Sequence, residues 1–249
     1  MQEIEFKFQV PVKKRKALQK AFTLLKAEPI HLAAQYFDTA DQTLAKHCIA
    51  IRRRQENDEW KQTFKAVDTA KVLSRLELEF DIAPPETTTL DLDNYKAYPA
   101  AYKKLKRALG LPQTTLELLF ETNIQRLRVL QDVGSSTVEI ALDIGKIFEE
   151  QNSVDIFEIE FELKQGSIED LIAFIRPWVQ KYQLSLDTHS KSDYGLLAVR
   201  QQSSFSAQYQ TPLVLNRSSS EVEALQSIVA NCLQHLLPNA SSIARQQYS

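Results

Sequence analysis

Seven segments of this chain alternate apolar and ionised residues with a period of two, and that pattern leaves few architectures open. Successive side chains of a strand point to opposite faces, so each segment has one apolar side and one charged side. Residues 2–10 set Ile4, Phe6 and Phe8 against Glu3, Glu5 and Lys7. Arg52 and Arg54 stand away from Ile49 and Ile51, and Lys61, Thr63 and Lys65 oppose Gln62, Phe64 and Ala66. Arg75, Glu77 and Glu79 alternate with Leu76, Leu78 and Phe80, and Arg126 and Arg128 with Leu127 and Val129. Glu139 and Asp143 oppose Val138, Ile140 and Leu142, while Glu158, Glu160, Glu162 and Lys164 oppose Phe157, Ile159, Phe161 and Leu163.

Taken with the turn signals, these patterns predict strands at 2–10, 31–37, 48–55, 59–67, 75–82, 120–131, 136–146 and 154–164. Helical periodicity falls at 11–27, 93–109 and 167–182, the last opening at Ser167 with Asp170 three residues on. Residues 1–202 thus read as one domain, the Ser- and Gln-rich stretch 203–219 as a linker, and 220–249 as a final helix. That helix has an apolar stripe and is expected either to pack on the sheet or another copy of the chain, or to fray.

The signs on the charged faces are segregated: carboxylates dominate the first and last strands, Arg and Lys the middle ones. Alternation alone fits a half-solvated sheet whose charges merely face water. Yet nearly every polar-face position is ionised, and adjacent like charges repel unless a counter-ion lies between them. Paired carboxylates invite a hard divalent cation with oxygen ligands, and paired Arg and Lys invite phosphate oxygens. A closed barrel with a charged lumen, wrapped by helices, meets both demands. Only 5 glycines occur and none builds a phosphate-cradling loop, so phosphate recognition falls to side chains.

Other functions are excluded or disfavoured on composition. A net charge of −2 argues against duplex nucleic acid as partner, and no apolar run approaches the ~20 residues of a membrane helix. Cys48 and Cys232 are too few for a disulfide framework or a thiolate metal site, which points to the cytoplasm. His31, His47, His189 and His235 show no metal-ligand spacing. The run Lys13-Lys14-Arg15-Lys16 reads as a solvated helix face or an attractor of polyanions.

The order of the charged segments resembles the CYTH, or triphosphate tunnel metalloenzyme, family. Glu3-Ile4-Glu5-Phe6-Lys7 is similar to its Glu-x-Glu-x-Lys opening, Tyr36-Phe37-Asp38-Thr39 to its Tyr-x-Asp-Thr segment, and Ile51-Arg52-Arg53-Arg54 to its Leu-Arg-x-Arg strand. Thr63-Phe64-Lys65, Arg75-Leu76-Glu77-Leu78-Glu79 and Glu158-Ile159-Glu160-Phe161-Glu162 continue the series. Ser190-Lys191-Ser192-Asp193-Tyr194-Gly195 resembles its closing segment, with Asp193 in a usually basic neighbourhood. Residues 212–249 resemble the first helix of a CHAD domain, cut off before its His-x-x-Arg helices.

The resemblance implies an α+β fold built on an eight-stranded antiparallel tunnel that takes a linear triphosphate with Mg²⁺ or Mn²⁺. It implies metal ligation by Glu3, Glu5, Glu158 and Glu160, with Glu162 and Asp143 as further candidates. Phosphate would be held by Lys7, Arg52, Arg54, Lys61, Lys65, Arg75, Arg126, Arg128 and Lys191, with Lys7, Glu5, Glu160 and Lys65 closest to the chemistry. The expected activity is hydrolysis of tripolyphosphate. Adenylate cyclase, thiamine triphosphatase and nucleoside triphosphatase activities, or non-catalytic polyphosphate binding, are its competitors. Long-chain polyphosphate and a second copy of the chain are open as partners.

Overall fold

The alternating segments form strands close to where their patterns start and stop. The computed structural model describes residues 4–67, 75–85, 90, 92–110, 116–150, 152–216 and 218–246. In chain order these are β1 (Glu5–Gln9), α1 (Val12–Leu24), β2 (Glu28–Asp38), α2 (Thr43–Lys46), β3 (Ile49–Glu56), β4 (Glu59–Val67) and β5 (Arg75–Ile82). A 3₁₀ turn (Asp93–Ala97) leads into α3 (Pro99–Leu109), β6 (Glu117–Val133), β7 (Ser136–Glu149), β8 (Asn152–Gln165) and α4 (Ile168–Tyr182). β9 (Ser185–Leu186), α5 (Lys191–Val199) and α6 (Glu221–Ala244) complete the chain. The single helix expected at 93–109 is split because Pro99 keeps the preceding Tyr98 out of the helical region.

All strands join one antiparallel sheet in the order β5-β4-β3-β2-β6-β7-β8-β1-β9. This corrects the expected closed, eight-stranded barrel: the sheet has nine strands and, among the described residues, no ladder joins β5 to β9. The reason is local. β9 pairs with Phe8 and Gln9 along the outer side of β1, taking an edge that closure would offer to β5. Ser185-Leu186 is too short to show alternation in the sequence.

The sheet nevertheless curls its charged face inward. The charge of Lys65 on β4 acts on Glu5 on β1, although β3, β2, β6, β7 and β8 lie between them along the ladder. The opposite, convex face is covered twice. α1 and α4 bury Phe22, Leu18, Leu171 and Ile175 against Ile140, Ile159 and Phe161, and the 3₁₀ turn with α3 buries Tyr95 and Leu105 against Ile51 and Phe64.

One end of the concave face is apolar, and α5 fills it. Ile30, Leu32, Tyr36, Phe120, Ile124 and Ile147 form a buried cluster with Tyr194 of that helix. Ser190 and Asp193 form a reciprocal capping box at its start, which gives Asp193 a structural role. Gly195 allows the close approach: a Cβ there would lie 2.3 Å from Phe120 ring carbons. Gly195→Ala should therefore lower stability by about 1–3 kcal/mol through overpacking, against its gain in helix propensity. Denaturant unfolding checks this; a raised midpoint would mean that Phe120 yields freely.

α6 packs rather than frays: buried Asn231 in its middle binds Thr211 and Gln210 of the preceding segment, and its C-terminal end meets the sheet. The Ser241 hydroxyl donates to the Leu186 carbonyl (3.2 Å) and accepts from Thr188 N–H (3.0 Å), and the Ser241 carbonyl accepts from Gln9 (3.0 Å). Arg245 reaches the Asp155 carbonyl at 2.7 Å and lies 4.0 Å over the Tyr194 ring. Val222, Leu225 and Leu236 are left exposed. No helix among the described residues is long and apolar enough to cross a membrane.

Candidate functional site

Register builds the site row by row. On the concave face Arg126 of β6 pairs with Asp143 of β7, which pairs with Glu158 of β8. In the next row Ala141 faces Glu160, and Glu160 faces Lys7 of β1; below them Glu139, Glu162 and Glu5 follow in line. The small Ala141 leaves Arg126 free to lean across: its guanidinium grips Asp143 bidentately at 2.7 and 2.8 Å and reaches Glu160 at 2.5 Å. Asp143, Glu158 and Glu160 each turn an oxygen to within 4.8 Å of the other two, and all three are buried. Lys191, the first residue of α5, places its ammonium among them, 2.7 Å from Asp143 and 3.0 Å from Glu160, with Glu158 also in contact.

The electrostatics follow from this crowding. Burial alone would raise the Glu160 carboxyl, but Lys191, Arg126 and Lys7 hold it well below the usual carboxylate range. Asp143 is likewise lowered, against burial, by Arg126 and Lys191. Burial would lower Lys191 and Arg126, yet the carboxylates around them hold both well above their ordinary values. Glu5 behaves oppositely: desolvation inside the groove, then the charge of Glu160, raise it to about 7.

Lys7 is held by an irregular strap between β9 and α5. Its ammonium donates to the His189 carbonyl and to Glu158 (3.2 Å), with Asp187 at 3.7 Å. Asp187 is itself fixed by its N–H on the Lys7 carbonyl (2.8 Å) and by the Tyr194 hydroxyl (2.9 Å). The His189 ring stacks on Phe205 at 3.8 Å and meets the Pro238 carbonyl and the Ser242 hydroxyl, both at 3.2 Å. The tail thus braces the segment that carries Lys7.

The middle strands supply a basic wall. Arg52 donates to Thr63 and to the Tyr36 hydroxyl, both at 3.3 Å. Arg54 touches Glu56 and Glu79, and Lys61 lies 3.0 Å from Glu56 and 3.7 Å from Glu79. Burial, then the neighbouring charge of Arg52, push Arg54 down to about 10. Among the described residues its Nε is buried with no hydrogen-bond partner.

Buried carboxylates thus line one wall of the groove and crowded guanidinium groups the other. The CYTH domain model matches residues 1–193. This chain belongs to the CYTH family. It is 32% identical over 201 residues to an inorganic triphosphatase of Haemophilus influenzae, covering 79% of this chain and 55% of that protein, so it spans about half the relative's length. The fold is shared with a candidate adenylate cyclase of Bacillus halodurans (TM-score 0.55, 21% identity, 77% of this chain and 96% of that one). It is shared too with a Hippeastrum protein described as a candidate adenylyl cyclase with a dominant triphosphatase activity (TM-score 0.52, 16% identity, 80% and 96%).

Within this CYTH fold the residues expected from the sequence scatter unevenly. Asp143, Glu158, Glu160, Lys7, Arg126 and Lys191 come together; Glu5 stands at their edge and Arg52, Arg54 and Lys61 across the groove. Lys65 pairs with Glu77 at 2.8 Å while acting on Glu5 and Tyr36. Glu162 is engaged by Lys164 at 2.6 Å, and Arg128 by Glu28 at 3.0 Å at the exposed end of the face. Glu3 and the side chain of Arg75 lie outside the described residues. Asp187, His189 and Tyr36 were not expected as site-building residues. Asp187 and His189 sit in a strap with no periodicity, and Tyr36 lies in a strand without the ionised alternation of the other seven.

Proposed function

We propose that this chain hydrolyses inorganic triphosphate with the help of Mg²⁺ or Mn²⁺. The observation that carries the reading is the facing of a buried three-carboxylate cluster by a basic wall whose Arg54 Nε is unpartnered. The donor set fits a hard divalent ion, because all three ligand groups offer carboxylate oxygen and lie close enough to share one centre. Asp143, Glu158 and Glu160 would hold it, with Glu5 and the expected Glu3 and Glu162 as outer candidates. When bound, such an ion neutralises phosphate charge and acidifies an attacking water.

The chain's own residues do the rest. Arg52, Arg54 and Lys61 grip phosphate oxygens, Arg54 and Lys61 exchanging the carboxylates they touch now, and Lys65 and Arg126 border the same groove. Lys7 is fixed by Asp187 and the His189 carbonyl so that its ammonium faces the reacting phosphoryl group. Glu5, near its midpoint at neutral pH, is placed to accept a proton. Phosphoryl transfer asks for positioning and charge neutralisation, which these groups supply. All of them precede residue 192, inside the proposed 1–202 tunnel domain, with 220–249 as the start of a helical module.

A phosphate-release panel tests the reading. Tripolyphosphate should be turned over faster than ATP or thiamine triphosphate, EDTA should abolish the activity, and Mg²⁺ or Mn²⁺ should restore it. Preference for ATP, or activity that survives excess chelator, would overturn it.

A further inference from the structure

Lys191 stands where a cation of another kind is expected. Its ammonium contacts the same three carboxylates, Asp143, Glu158 and Glu160, that form the candidate metal centre. Charge counting makes this consequential. Counting Asp187, which also pairs with Lys7, four carboxylates are met by Lys191, Arg126 and Lys7, so side chains already balance the cluster to within one negative charge. A divalent ion joining them would leave one uncompensated positive charge in a desolvated place unless a resident cation withdrew.

The three cations differ in freedom. Arg126 is fixed on a central strand by its bidentate grip on Asp143. Lys7 keeps the His189 carbonyl and Asp187 whatever happens to Glu158. Among the described residues the Lys191 ammonium has the three carboxylates alone as partners, and it rides on a flexible four-carbon stem at a helix terminus.

We propose that Lys191 is a resident counter-ion of the carboxylate cluster, displaced when a divalent ion binds, and that its freed ammonium then serves the triphosphate in the groove. The charge of Lys191 already acts on Tyr36 and Glu5, which belong to the same charged face. The exchange would couple ion binding to substrate grip: one arriving ion both occupies the carboxylates and frees a phosphate-binding lysine. This rests on the triphosphatase reading for its substrate, and on the cluster alone for the exchange.

The experiment is calorimetric titration of the full chain with Mn²⁺ alone. Lys191→Met should bind at least about tenfold tighter than the parent, because a competing charge is gone. Equal or weaker affinity, or no binding by either protein, would overturn the exchange. A second measurement needs no variant: amidination of the parent protein, followed by mass spectrometry, should label Lys191 faster with Mn²⁺ than without, and an unchanged rate would also overturn it. Tripolyphosphate turnover, assayed separately, keeps the two ideas apart. Turnover with unchanged Mn²⁺ affinity sinks only the exchange, and tightened affinity without turnover sinks only the substrate.

Discussion

Glu160→Gln is expected to leave a folded protein whose tripolyphosphate turnover falls by about 10²–10³-fold, the scale on which a preorganised charged group contributes to catalysis. Glu160 stands in the middle of the cluster, touched by Arg126 at 2.5 Å and by Lys191 at 3.0 Å and facing Lys7 across the ladder. The amide keeps the volume and removes the charge. Its oxygen can still take one of the two cations, but its NH₂ group cannot face the other. The ligand set drops from three carboxylates to two, so Mn²⁺ affinity should fall with turnover. Retention of parental turnover by a Glu160→Gln protein with parental Mn²⁺ affinity would remove Glu160 from the site.

The strands were legible because each obeys one physical rule. Arg75 to Ile82 separates charge from apolar residue at every step, and β5 spans those residues. The capping signal at Ser167 was likewise local, and its hydroxyl accepts the third helical N–H of α4. What could not be read was the edge. β9 has two residues, gains its identity from the β1 partner it meets, and so decides whether the sheet closes without leaving a pattern. The start of α5 lies outside any alternating segment, and nothing in Ser190-Lys191-Ser192 says that Lys191 turns into the carboxylates.

The site divided in the same way. Alternation placed Asp143, Glu158, Glu160 and Lys7 on one face, and resemblance gave them roles, but register alone decided which oxygens meet. Glu139 and Asp143 share a face of β7, yet Glu139 pairs with Glu162 beside Lys164 while Asp143 joins the buried cluster. Residues 220–249 read as a separate helix, whereas the structure uses their last turns to brace His189, whose carbonyl fixes Lys7. Such a contact joins positions more than fifty residues apart and has no local signature.

Arg126→Met is the substitution with the largest expected cost to folding, about 3–5 kcal/mol, the range for removing one partner of a buried ion pair. The methionine fills much of the space but leaves fully buried Asp143 and neighbouring Glu160 with Lys191 as their shared counter-charge. The pH dependence carries the diagnostic. In the parent, Arg126 and Lys191 depress both carboxyls, so their stabilising contribution is present above the unfolded value of about 4 and is lost only as pH falls through the lower folded values. In the variant, Arg126 no longer offsets burial and mutual repulsion and the folded values rise, so acidification protonates the under-compensated carboxyls sooner and relieves the strain. The stability gap between the two proteins should therefore be widest near pH 7.5 and narrow steadily toward pH about 4.5. Denaturant unfolding at both pH values measures it. A gap of the same size at each would assign the loss to packing, and the carboxylate cluster would then not depend on Arg126 for its charge.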